Sequence, residues 1–327
     1  MSTANIVERS SIASNPGHAD IGLTPGATNW LWVVFGIMLV CNFAFAVWAF
    51  TRPIGTRTFH YLSTLVITIA TIAYFSLASN LGGTPVLVEF RGPGLTRAVW
   101  YARYIDWTVT TPLLLLQLLM GTGLPLSEIV AVIFFDLVMV ITGLVAALVP
   151  SGYKWGFFVF SCMSFFFIWG ILIGTARQSA YLISKEAGRA YTRGALFLIF
   201  VWMLYPIAWG LSEGGNVIHP SGEMIFYGIL DILAKPVFCA WHLYSLRDVP
   251  YEVFALSSGK TSTAANLTPL PLSPLVHQDK PLYTSAPHYT TAPHVDSEVG
   301  DRTPNSSIRR GSASSRVPAP IYEPDIL

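Results

Sequence analysis

Along the chain, apolar residues gather into seven long runs separated by short polar gaps. The runs lie near Trp30–Phe50, Thr58–Ser79, Ala98–Met120, Leu126–Leu148, Trp155–Thr175, Tyr191–Leu211 and Gly222–Leu246. A hydrocarbon core of about 30 Å takes roughly 20 apolar residues to cross as a helix, and each run is of that order. None sustains the period-2 alternation of a barrel strand, so backbone polar groups at membrane depth must be satisfied inside helices. The pattern predicts an all-α membrane protein, a seven-transmembrane-helix bundle over 30–249. The first run is too long for a signal-peptide core and follows a polar stretch, which fits a translocated N-terminal tail over 1–29.

Between the second and third runs, Thr84-Pro-Val-Leu-Val-Glu-Phe90 precedes the turn Arg91-Gly-Pro-Gly94. A short β-like run before a Gly/Pro turn predicts a hairpin cap. The third and fourth runs are joined by little more than Gly121-Thr-Gly-Leu-Pro125, which makes them antiparallel neighbours. After Pro250 the composition changes to Ser, Thr, Pro and Ala, with ten prolines between Pro269 and Pro324. Such a segment cannot bury enough apolar surface to fold, so 250–327 is expected to be a disordered tail. Within it Arg309-Arg-Gly-Ser312 resembles a basophilic kinase site, although motifs of this kind arise by chance in such tails and plain linker is the favoured reading.

Composition agrees with the pattern: 53% of residues are hydrophobic and 11% charged, against about 25% charged in soluble domains. Lys and Arg set the orientation. One end carries Arg52, Arg57, Arg177, Lys185, Arg189, Arg193 and Arg247; the other carries Arg9, Arg91, Arg97 and Lys154 with Glu89, Glu213 and Glu223. The N-terminus is therefore expected outside and the C-terminus in the cytoplasm, in a multi-pass protein of the plasma membrane. Cys41, Cys162 and Cys239 fall inside predicted spans without partners for a disulfide or metal site, and no role is assigned to them. No metal, nucleic-acid or enzymatic role is expected.

Ionisable groups inside a bilayer are rare and costly, so each is a functional candidate. The third run holds Arg103 and Asp106, the fourth Asp136, and the seventh Asp231 and Lys235, while the other four lysines lie at helix ends or in the tail. Lys235 is about fourteen residues into its run, roughly 20 Å along a helix, and so near mid-membrane. Two readings of a buried lysine compete: a salt bridge to a buried carboxylate, or a reactive amine in Schiff-base linkage to an aldehyde. Asp231, four residues earlier on the same helix face, serves either. Trp202, Tyr205, Pro206 and Trp209 put rings on one face of the sixth run, and Trp107 adjoins Asp106. Such rings line an apolar slot or pack helices around a proline kink equally well.

The run Trp100-Tyr-Ala-Arg-Tyr-Ile-Asp-Trp-Thr-Val-Thr-Thr-Pro-Leu-Leu-Leu-Leu-Gln117, together with Leu230-Asp-Ile-Leu-Ala-Lys235, closely resembles the microbial, type 1 rhodopsins. The fungal branch, with its bacteriorhodopsin-like proton pumps, is the nearest pattern, and the resemblance covers roughly Trp30 to Leu246. It implies that Lys235 binds all-trans retinal as a protonated Schiff base, with Asp106 as counterion and proton acceptor and Asp231 as second counterion. Arg103 would steady both carboxylates from the outer side. The matching pocket residues are Trp107, Thr111, Met139, Gly143, Phe158, Ser161, Trp202, Tyr205, Pro206 and Trp209, with Tyr74 placed to bond Asp231. Phe158 stands where the bacteriorhodopsin pattern has tryptophan, which keeps an aromatic wall and bears on colour. Glu213 and Glu223 match the family's proton-release pair, although for loop glutamates a plain solvated reading is nearly as good. Asp136 matches a buried, neutral structural acid near the retinal ring.

Spacing adds two points. Thr110, four residues from Asp106, is placed to tune it by hydrogen bonding. Gln117, eleven residues on, lies about 16 Å further on the same face, where the family's pumps usually have a carboxylic proton donor. An amide cannot donate that proton, so reprotonation would depend on slow uptake from the cytoplasm. The sequence is read as a slow light-driven outward proton pump; the alternative is a photosensor signalling through cytoplasmic loops or tail. A cofactor-free chaperone or scaffold is opposed by Lys235, and a cation channel by the lack of a glutamate row in the second run. The partners expected are the bilayer and protons; homo-oligomers are common in the family, but no residue here specifies one.

Overall fold

The computed structural model describes residues 10–256 apart from residue 93. Seven helices form the bundle: α1 Pro25–Phe50, α2 Thr58–Ala78, α3 Tyr101–Leu119, α4 Leu126–Leu148, α5 Lys154–Ile183, α6 Lys185–Gly214 and α7 Pro220–Ser245. All but α3 are long and apolar enough to cross a membrane by themselves. Helix α3 carries Arg103, Asp106 and Gln117 and buries all three. Large apolar side chains such as Val40, Phe43 and Phe50 on α1, or Phe134 and Ile141 on α4, are exposed. The charged and polar ones turn inward. Hydrocarbon as the surrounding solvent produces that inversion.

Local chemistry accounts for the helix starts. Thr24 caps α1, accepting from the Ala27 amide, with Pro25 in the first turn, where a missing N–H is harmless. Ser184 caps α6 through the Ala187 amide at 3.0 Å. Because of the Thr24 cap, α1 begins five residues ahead of the apolar run. Helix α5 breaks at Gly174, where a Cβ would stand 2.7 Å from the Gly170 carbonyl oxygen, and resumes as Thr175–Ile183. It therefore outlasts the predicted run.

The expected hairpin is present, as β1 Thr84–Leu87 paired antiparallel with β2 Thr96–Val99, Thr84 opposite Val99. The strand takes the first residues of the apolar run over Ala98–Met120, so α3 starts later than predicted. Ile21 bridges to Arg97 beside it, and the Asp20 carboxylate accepts from the Thr96 amide (2.8 Å) and hydroxyl (2.7 Å). These bonds, the amide first, hold the Asp20 carboxyl below its ordinary range. Residues 10–24 are thereby tied to the hairpin end. At the opposite end the turn Tyr251–Phe254 packs on α2, Phe254 at 5.3 Å from Phe59, so the expected tail starts as ordered structure. The rest of that tail, with Arg309-Arg-Gly-Ser312, lies outside the described residues, as do residues 1–9.

Gly82 joins α2 to the hairpin at φ +77°, where a Cβ would meet that of Ala102 at 2.5 Å. Gly82→Ala combines a left-handed backbone with a clash and is expected to destabilise the bundle by at least about 1 kcal/mol, read as a lower thermal midpoint by circular dichroism.

Candidate functional site

Lys235 sits in a π-helical turn of α7, Leu233–Val237, which also contains Pro236. The wide turn absorbs the proline, which lacks an N–H and would clash in a regular helix. Its amine is 2.5 Å from Asp106 Oδ2 on α3 and 3.1 Å from Asp231 Oδ2 one turn earlier on α7. All three side chains are buried. The buried amine thus faces two carboxyl groups, an arrangement that serves a salt bridge and a reactive amine alike.

The two carboxylates are held differently. Asp231 accepts from the Tyr74 hydroxyl at 2.7 Å through Oδ2 and from the Tyr205 hydroxyl at 2.6 Å through Oδ1. Asp106 Oδ1 has no hydrogen-bond partner among the described residues. Asp231 is therefore held by two fixed donors, whereas Asp106 Oδ1 has none among the described residues. Thr110 is on the expected face, but its hydroxyl donates to the Asp106 main-chain carbonyl at 2.8 Å, not to the carboxylate. That bond to residue i−4 is the habitual one for a helical threonine, and it corrects the expectation that Thr110 bonds the acid directly.

From the amine, an apolar cavity runs between the helices, of the concave, apolar form usual for small-molecule sites. Its walls include every expected pocket residue: Trp107, Thr111, Met139, Gly143, Phe158, Ser161, Trp202, Tyr205, Pro206 and Trp209. Phe158 stacks on Trp209 at 4.5 Å and 15°. Tyr74 is not in the wall; it acts on Asp231 from behind. The structure adds Tyr104, Leu114, Val140, Cys162, Phe165, Tyr227 and Ala234 to the lining. Some carry a helical-spacing signal, since Tyr104 is three residues before Trp107 and Leu114 three after Thr111. Cys162, assigned no role in the sequence, borders the cavity; the three cysteines are free. Asp136 is fully buried, accepts from Thr111 at 2.7 Å, and flanks the same wall.

Toward the hairpin end lies a second buried cluster. Arg103 bonds Glu223 at 2.7 Å and stands 3.7 Å from Glu213, with its guanidinium 4.0 Å over the Tyr227 ring. Arg97 bonds Glu223 at 2.7 Å and Asn216. Glu213 accepts from Tyr104 at 3.1 Å and Tyr227 at 3.3 Å, placed there by the π turn Gly210–Gly214. Two expectations change. Glu213 and Glu223 are not solvated loop residues, being 7% and 0% exposed. Arg103 also contacts neither Asp106 nor Asp231, because the outer glutamates lie nearer and claim it. Apart from Tyr227–Glu213, the hydrogen bonds that fold these loops inward join residues over a hundred positions apart, which no local pattern displays.

On the other side of Lys235, Gln117 is fully buried and its side-chain oxygen accepts from Ser63 at 3.2 Å and Cys239 at 3.6 Å.

A helical membrane bundle with a lysine buried between two carboxylates, at the end of an apolar, aromatic-walled cavity, has the chemistry to take up an apolar aldehyde. A model of the family described as "Bacteriorhodopsin-like protein" matches residues 25–249, and the chain belongs to that family, among its fungal microbial rhodopsins. It is 47% identical over 260 residues to "Protein FDD123" of Trametes versicolor, covering 80% of this chain and 92% of that protein. It is 46% identical over 240 residues to "Opsin-like protein carO" of Fusarium fujikuroi, covering 72% and 78%. Among solved structures it resembles a light-driven proton pump of Leptosphaeria maculans, with TM-score 0.67 and 33% identity over 70% of this chain and 100% of that one. Members of this family bind retinal through a lysine Schiff base. The cavity's apolar, aromatic walls and the amine at its end fit that group here.

Tyr205→Phe and Tyr74→Phe each remove one donor from buried Asp231. Each is expected to lower stability by about 1–3 kcal/mol, measured by thermal unfolding of the purified protein, with the pair less than additive because both act on one carboxylate.

Proposed function

We propose that the chain is a slow light-driven outward proton pump that binds all-trans retinal at Lys235. The observation that carries this is the Lys235 amine set between Asp106 at 2.5 Å and Asp231 at 3.1 Å at the mouth of the cavity. Bound there, retinal supplies light absorption and an isomerisation that shifts the lysine nitrogen relative to its carboxylates. The protein does the rest. In the dark, Asp106 and Asp231 keep the nitrogen protonated, since a lone positive charge in that interior would be strongly disfavoured. When the geometry changes, Asp106 takes the proton, while Asp231 stays held by the Tyr74 and Tyr205 hydroxyls.

The proton that leaves the protein is assigned to the Glu213–Glu223 pair at the hairpin end, which Arg103 faces at 3.7 and 2.7 Å. That end is placed outside the cell, with the N-terminus, in a plasma-membrane protein. The opposite end carries the larger number of Lys and Arg, namely Arg52, Arg57, Arg177, Lys185, Arg189, Arg193 and Arg247, in keeping with that orientation. Return of a proton to Lys235 comes from the opposite end past Gln117, which as an amide has none to give. Slow return is also what a photosensor uses to prolong a signalling state, and Gln117 is the observation favouring that second reading.

Reconstituted with all-trans retinal, the protein is expected to show a visible band that Lys235→Ala abolishes; a persistent band in that variant overturns the assignment. Vesicles should show light-driven proton movement that Asp106→Asn stops, followed with a pH electrode. Flash photolysis should find recovery of the protonated nitrogen slowing as external pH rises, and Gln117→Asp should speed it by about a hundredfold, the low side of what a positioned proton donor contributes. A fast, pH-independent recovery in the unmodified protein would refute the role given to Gln117.

A further inference from the structure

Beyond Gln117, on the side of Lys235 remote from the hairpin, the interior contains another titratable side chain. His242 is seven residues after Lys235, about 10 Å farther along α7 and on the same face. It is 2% exposed, its polar neighbour is the Gln117 main chain, and no side chain among the described residues bonds either ring nitrogen. A buried imidazole so sparsely bonded is uncommon and calls for a reason.

The packing is shaped around this ring. Phe238 stacks on it at 5.6 Å and 13°, and Phe59 meets it edge-on at 6.1 Å. A Cβ at position 194 would come within 3.1 Å of His242 Nδ1, so Gly194 is what lets the imidazole press against α6. Cys239, one turn back toward Lys235, and Ser63 both donate to Gln117, and Gln117 Nε2 is itself unpartnered. Polar atoms thus mark a track through otherwise apolar packing, from Lys235 past Cys239, Ser63 and Gln117 to His242. The titratable groups on the surrounding elements are few. They are Cys239 on α7, Tyr191 on α6, whose hydroxyl is turned away to the Leu172 carbonyl at 2.8 Å, and Tyr251 behind Phe59. Among the described residues no carboxylate pairs with the ring. Phe59, in contact with the ring, packs in turn on Tyr251 and Phe254.

We propose that His242 is a proton-relay residue on the uptake path, standing in for the carboxylic donor that Gln117 replaces. Neutral imidazole has one donor and one acceptor nitrogen. A proton arriving on the free nitrogen from the Tyr251–Phe254 end allows the proton on the other to leave toward Lys235. One proton enters, one departs, and the ring returns to neutrality. This rests on Lys235 being the group that loses and regains a proton in light.

The test uses the full chain with retinal bound. His242→Asn is expected to slow recovery of the protonated nitrogen by about a hundredfold, with the visible band intact and the rate restored by added azide, a small permeant acid. His242→Gln should behave alike and serves if the first variant does not fold. Unchanged recovery in either, while the unmodified protein still pumps, overturns the relay alone. A second measurement needs no retinal: nitrogen NMR of the histidine-labelled chain, His242 being assigned by its loss in His242→Asn. Its signal is expected to respond as solution pH falls from about 7 to about 3. A ring locked in one tautomer across that range overturns the proposal. If the unmodified protein shows no light-driven proton movement, the pump reading fails, and the NMR result still decides whether protons reach His242.

Discussion

An ammonium at membrane depth carries a desolvation penalty of several kcal/mol even after relaxation, and only close, well-oriented anions offset it. Lys235 meets that condition twice, through Asp106 and Asp231. Much else in the bundle follows from keeping those three groups together. Helix α3 must bring Asp106 to α7, although its own polar content makes it the poorest membrane helix of the seven. Tyr74 on α2 and Tyr205 on α6 converge on Asp231, so four helices are fastened at one level by charge-assisted hydrogen bonds. These are the stronger class of hydrogen bond, in a medium of low dielectric.

The interior is graded along its length. At the hairpin end two arginines and two glutamates form a buried, hydrogen-bonded network, and the Ile21 bridge, the β1–β2 pair and Asp20 close over it. At Lys235 the charges are one amine and two acids. Beyond it come an amide, a hydroxyl, a thiol and an imidazole, with no carboxylate paired among the described residues there. Charge therefore thins out from one end to the other. A proton leaving Lys235 meets prepared acceptors on the hairpin side. One returning crosses weakly polar groups, and that asymmetry gives both direction and slowness to the cycle proposed here.

Strain and irregularity concentrate where these demands meet the helix. Two π turns, Gly210–Gly214 and Leu233–Val237, carry Glu213 and Lys235. An added residue per turn rotates a side chain off the face that regular spacing would give it, which is a common reason for such turns at functional sites. The break at Gly174 and the proline in α6 do the corresponding work for the packing of α5 and α6.

Much of this was legible along the chain because a membrane imposes rules that act locally. Apolar run length foretold seven helices, and the scarcity of ionisable residues at membrane depth singled out Arg103, Asp106, Asp136, Asp231 and Lys235. The pocket rings were legible through the family resemblance of the third and seventh runs. Helix ends were less so, since α1 is extended by its Thr24 cap and α3 is shortened by the β2 strand. What only the tertiary structure decided is which charge faces which. Arg103 could serve the inner aspartates or the outer glutamates, and the inward fold of α6 and α7 settles it for the glutamates. Thr110 could bond a carboxylate or a carbonyl, and the helix keeps it on the carbonyl. His242 drew no notice as one of 7 histidines, because its burial beside Gly194 and Phe59 depends on contacts between residues far apart in sequence. Burial needs are written into the side chains one by one; pairings depend on distances that exist only once the helices have packed.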